Sequence, residues 1–174
     1  MDRHGFIHEE LDIKILILYI LRRLPEEIDF EKLTEFVMID DGFDYFEYTQ
    51  CLLELVETEH VSKRDNYYKI TKKGEEHGDT LESSIPYSVR SKAESDIEPT
   101  VKKMRRNALI ETEHSINNDG SCKMELSFSD GMGEIFRLNI LTSSEQHTVE
   151  MENYFRANAE SIYHQIIGLL TPEK

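Results

Sequence analysis

Apolar residues recur along this chain with a helical period in its first half and with alternation in part of its second half. Ile13, Leu16, Ile17, Ile20, Leu21 and Leu24 fall at three- and four-residue steps, the spacing of one helix face. Ile15, Leu18 and Tyr19 fill the other sides. Such a helix must be covered from more than one direction, by its own domain and by either the C-terminal half or a second subunit. Asp12 is the expected N-cap and Pro25 the stop. Asp29 caps a short second helix through Phe30, Leu33, Phe36 and Val37. Ile39-Asp40-Asp41-Gly42 forms the turn after it, with Gly42 free to take a positive φ. A third helix runs from about Asp44 to Glu59. At 100° per residue Tyr45, Tyr48, Leu52, Leu55 and Val56 point inward, while Phe43, Phe46, Glu47, Gln50, Glu54 and Glu57 form the outer face.

A short hairpin follows, from Val61 to Ile70, with Asp65-Asn66 at its tip. Thr71 caps a helix to about Leu81, and Ser83-Ser84-Ile85-Pro86 breaks the chain. These elements predict an α+β protein. Residues 1–84 form a winged helix-turn-helix domain. Residues 85–174 form a second, small domain, a three-stranded antiparallel sheet packed with helices. In the second domain Ser88 to Leu109 reads as a helix in which Pro99 is a candidate interruption. Three alternating segments then present Ile110, Thr112, His114 and Ile116; Cys122, Met124, Leu126 and Phe128; and Phe136, Leu138 and Ile140 on one buried face. Asn117–Gly120 and Ser129–Gly133 supply the turns. His114 reads as a hydrogen-bonded core histidine. Ser143 or Ser144 caps a closing helix whose Ile162, Ile166, Leu169 and Leu170 pack inward.

Charge changes how the hairpin is read. The 174 residues carry a net charge of −15, which repels nucleic acid unless positive charge is concentrated in one place. The stretch from Val61 to Lys73 does concentrate it: Lys63, Arg64, Lys69, Lys72 and Lys73 stand against the single acid Asp65. That is where the wing of a winged helix touches the phosphate backbone, and Thr49 and Gln50 are the outer-helix residues able to approach bases. Against this, glutamates at positions 47, 54 and 57 are poor company for phosphates. Phe43 and Phe46 equally fit anchors for a basic protein partner. The further basic cluster Lys102, Lys103, Arg105 and Arg106 reads as a solvated helix face.

Other chemistry is thinly represented. Cys51 and Cys122 make neither a disulfide framework nor a zinc site and read as buried thiols. His4 and His8 have helical ligand spacing but no third ligand, so no metal is expected. There is no Gly-rich phosphate loop, His-Glu-x-x-His or Gly-x-Ser-x-Gly, and the expectation is a non-enzyme without cofactor. No apolar run is long enough to span a bilayer, and the acidic N-terminus is no leader, which predicts a cytoplasmic protein.

Five stretches in order carry a family resemblance: Lys14–Leu21, Leu33–Val37, Asp44-Tyr45-Phe46 with Leu52–Val56, Tyr68–Gly74, and Asn158–Tyr163. Over its whole length the chain resembles the bacterial family named domain of unknown function 4364. The Ile70-Thr71-x-x-Gly74 step is also similar to winged-helix regulators of the PadR-like group. The resemblance implies a transcriptional regulator with no established ligand, target or catalytic residue. Double-stranded DNA is then the expected partner and a homodimer the expected state, the second domain dimerising or sensing a small ligand. The rival expectation is a winged-helix module that binds a protein and no DNA.

Overall fold

A computed structural model describes residues 5–171. The protein is α+β and divides into two compact units, residues 1–104 and 105–174. In the first unit α1 (Glu10–Arg23) leads into the two-residue β1 (Ile28–Asp29), then α2 (Phe30–Val37), α3 (Tyr45–Glu57), the hairpin β2 (Val61–Arg64) and β3 (Tyr67–Ile70), and α4 (Lys72–Leu81). A single 3₁₀ turn, Glu82–Ser84, joins α4 to α5 (Tyr87–Asn107). The small sheet has the order β1-β3-β2, antiparallel throughout, with Ile28 opposite Tyr68 and Val61 opposite Ile70. At two residues, β1 is too short to show any period, and it went unpredicted.

The all-round apolar helix α1 is the centre of this unit. Ile13 and every residue from Ile15 to Leu21 are buried. Its covers are α2, α3, β3 and α4, and the start of α5, whose Val89, Ala93 and Ile97 join the same core. Tyr19 Oη donates to Glu94 Oε1 at 2.7 Å, tying α1 to α5. Fully burying one aliphatic side chain is worth about 1.5–3 kcal/mol, so α5 belongs with the first unit. The expected boundary after residue 84 is therefore corrected to 104. Pro86 does break the chain, but Ile85 beside it is buried in the first core. Pro99 does not interrupt α5.

Local signals account for most helix starts. Asp29 accepts from the Lys32 amide at 2.9 Å. Asp44 and Glu47 form a reciprocal capping box. Thr71 Oγ1 accepts from the Gly74 amide at 3.1 Å. Asp12 is not a cap: α1 begins at Glu10, with Glu9 before it and no side-chain cap. Gly42 does not use the positive φ open to it; a side chain there would collide with the Ile7 carbonyl.

The second unit is a meander, β4 (Ile110–Ile116), β5 (Cys122–Ser129) and β6 (Glu134–Thr142), under one long helix, α6 (Glu145–Leu170). Leu126 sits opposite both Thr112 and Leu138. Ile110, Met124, Leu126, Phe155 and Ala159 form its core. Ser144 caps α6, accepting from the His147 amide at 3.4 Å. His114 Nδ1 lies 3.0 Å from Glu152 Oε1, the hydrogen-bonded histidine expected. Leu169 and Leu170 do not pack inward: both are exposed. At 1.5 Å per residue against about 3.4 Å per strand residue, the 26-residue α6 outruns strands of seven to nine residues.

Candidate interaction surface

The outward stripe of α3 differs from the one the helical wheel predicts. Phe46, Gln50, Leu53 and Glu57 are exposed and Thr49 half-exposed, at steps of three and four. Phe46 is 73% exposed and Leu53 57%. Phe43, expected on this surface, is only 5% exposed and joins the core, because it precedes the helix and does not follow its wheel. Tyr45, expected inside, is exposed; its ring meets the edge of Phe30 at a centroid distance of 6.5 Å. Tyr48 is buried, and burial raises its phenol well above the usual value.

Two of the three outer glutamates are engaged within the fold. Glu47 Oε2 accepts from the Asp44 amide at 2.8 Å, completing the cap. Glu54 turns towards α1, where Lys14 bridges it and Glu10. The hydrogen bonds from Lys14 and then Gln50 lower the Glu54 pKa below the ordinary carboxylate value. Gln50 Nε2 reaches Glu54 Oε1 at 3.3 Å, and Thr49 Oγ1 donates to the Phe46 carbonyl at 3.0 Å. Glu57 is the acid left on the stripe.

The predicted basic residues are not a single patch. Lys63 faces the Tyr68 side of the hairpin, its Nζ 5.5 Å from that ring. Arg64 and Lys69 alternate onto the other side. Arg64 reaches Glu27 Oε1 at 2.8 Å, so its charge is largely answered within the chain. Lys73 donates to the Thr58 carbonyl at 2.7 Å. Lys69 and Lys72 are exposed, with no ion pair among the described residues.

A feature the sequence reading missed locks α3, the hairpin and α4 together. Thr58 Oγ1 donates to the Glu54 carbonyl at 2.6 Å, so its oxygen accepts from His60 Nδ1–H at 2.9 Å. His60 Nε2 is then the acceptor for His77 Nδ1–H, 2.7 Å away on α4. Burial first, then Lys73 and His77, hold the His60 pKa below 6.5. The His60 carbonyl accepts from the Thr71 amide at 3.0 Å, and the Thr71 hydroxyl donates to the neighbouring Glu59 carbonyl at 2.7 Å. The two histidines are 17 residues apart, and no periodicity connects them.

Among the described residues no group of three or more His, Cys, Asp or Glu side chains could hold a metal. His4 lies outside the described residues. Cys51 and Cys122 are buried free thiols, and burial pushes Cys51 up to about 11. No helix among the described residues is long and apolar enough to cross a membrane. A family model described as domain of unknown function DUF4364 matches residues 13–170. Comparison with curated proteins gave no match, and comparison with solved structures gave none.

Proposed function

We propose that this chain, which belongs to the DUF4364 family, is a cytoplasmic winged-helix regulator that binds double-stranded DNA and catalyses no reaction. The observation that carries the reading is the order helix, short strand, helix, helix, hairpin, with β3 between β1 and β2. On this reading α3 is the groove-reading helix and the hairpin the wing. The diversion of Glu47 and Glu54 into the fold supports it, since the exposed stripe then carries one glutamate where three had counted against phosphate approach. Gln50 and Thr49 approach base edges. Lys63, Lys69 and Lys72 contact phosphates, with Lys73 and Arg64 beside them. Arg64 contributes least, because Glu27 already holds it.

The test is a gel shift against genomic fragments in low salt, repeated across a salt series. The slope of log K against log salt should be about −0.9 per phosphate contacted. Lys69→Ala with Lys72→Ala should flatten it by nearly two units per subunit. No retardation at roughly 10 μM protein in about 50 mM salt overturns the proposal, since even non-specific DNA binders associate there.

One observation favours the second reading. Phe46, Leu53 and Tyr45 leave an apolar surface on the helix that should read DNA, as a protein contact requires. On that reading a basic partner is lost with Phe46→Ala and kept with Lys69→Ala. The DNA reading predicts greater sensitivity to the lysine.

A further inference from the structure

The sheet of the second unit has two edges, β4 and β6, with β5 between them. An open edge is a row of unpaired amide and carbonyl groups, and proteins guard edges they keep solvated with charge. The edges differ in this respect. On the outward face of β4 stand Glu111, Glu113 and Ser115. A symmetric antiparallel pairing of two β4 strands centred on Glu113 sets Glu113 against its own copy. Centred on Thr112, it sets Glu111 against Glu113. Both are like-charge pairs at the closest cross-strand distance.

β6 carries no such guard. Its outward positions are Arg137, Asn139 and Leu141, with Ile135 at the bulge where β6 begins. Leu141 is 72% exposed, and Ile135 is exposed as well. The Arg137 charge is already answered by Glu125 and Glu134. On the inward face Phe136, Leu138 and Ile140 are half-buried, because α6 leaves the β6 side partly uncovered. The gap is an apolar cleft of about 310 Å³ lined by Leu126, Leu138, Ile140, Met151, Tyr154 and Phe155.

We propose that the β6 edge is a self-association surface on which two copies of this chain pair antiparallel about a two-fold axis through Leu138. In that register Phe136 meets Ile140 of the second copy on the inward face, and Leu138 meets Leu138. On the outward face Arg137 meets Asn139, and each exposed Leu141 falls opposite Ile135. No like-charged pair forms. The two meanders become one six-stranded sheet carrying both α6 helices on the same face, so each cleft is flanked by the second copy's helix. The surface does not depend on DNA binding, and its failure would leave the DNA reading standing.

The test is the solution mass of the full chain by sedimentation equilibrium, with variants at exposed positions that should not disturb folding. Wild type should be a dimer at about 100 μM. Ile135→Lys sets an edge lysine against Leu141 twice per dimer and should weaken association about tenfold. Ser115→Arg on the β4 edge should leave it unchanged. Spin labels at Leu141→Cys, with Cys51 and Cys122 buried, should report backbone positions about 20 Å apart, three residues either side of the axis at roughly 3.4 Å each. A monomer at that concentration overturns the proposal. So does a dimer indifferent to Ile135→Lys, or a label separation far from that distance.

Discussion

Gly74→Ala should cost this protein far more than a helical glycine ordinarily does, and Gly78→Ala in the same helix should cost nothing. Gly74 is in the first turn of α4, where the helix runs against the His60 carbonyl. A Cβ at position 74 would lie far inside van der Waals contact of that oxygen, 2.9 Å from Ile70 Cγ1 and 3.1 Å from the His60 carbonyl carbon. The oxygen cannot swing aside freely, because it accepts from Thr71 N at 3.0 Å. Overpacking of this kind costs about 1–3 kcal/mol. The weakened amide bond adds about 1 kcal/mol, and the better helix propensity of alanine returns up to about 1 kcal/mol. The net loss is roughly 2 kcal/mol. At Gly78 the added Cβ meets only Leu18 Cβ at 3.4 Å, an ordinary contact, so propensity alone acts and the change is neutral to about 1 kcal/mol stabilising. Urea unfolding followed by circular dichroism, with both variants beside wild type, measures the pair. A Gly74→Ala midpoint at or above wild type would falsify the packing argument, as would equal effects at the two positions.

Two further outcomes follow from titratable groups. The His60 pKa is lowered in the folded protein, so the unfolded chain binds more protons just below pH 6.5. Its contribution is complete above 6.5 and declines as pH falls towards the folded value. The facing groups are His77 and Lys73 on α4, with Thr58 at the end of α3. Urea midpoints between pH 8 and pH 5 should show this decline in wild type and not in His60→Asn; parallel profiles would refute it. Glu54, held low first by the hydrogen bond from Lys14, and Glu94, held low first by the one from Tyr19, contribute above their ordinary 4.5 and lose that contribution as pH falls through their lower folded values. Lys14→Met should shrink this acid-side loss, because Glu54 returns towards 4.5; an unchanged acid profile would count against the bridge.

The comparison of pattern with structure turns on range. Caps at Asp29, Thr71 and Ser144 were legible because a cap is a contact across three residues. The meander was legible because alternation with turns between is itself local. The wheel failed at Phe43, which stands before the helix, and at Tyr45 in its first turn, where the neighbouring elements decide what is covered. The candidate site was legible as a list of residues and not as a surface. Arg64 is claimed by Glu27, 37 positions away, and Glu54 by Lys14, 40 positions away.

The sequence by itself determined the class of the fold, the places where helices begin, the alternation of the second unit and the concentration of bases from Lys63 to Lys73. These are properties of hydrogen bonds and periods spanning a few residues. Only the tertiary structure decided that α5 serves the first core, that two glutamates leave the α3 stripe, that His60 and His77 meet, and that β6 is an open edge whose one acid, Glu134, is paired with Arg137. Each depends on which surfaces face one another once the apolar stripes are buried, and burial joins positions that no local spacing relates.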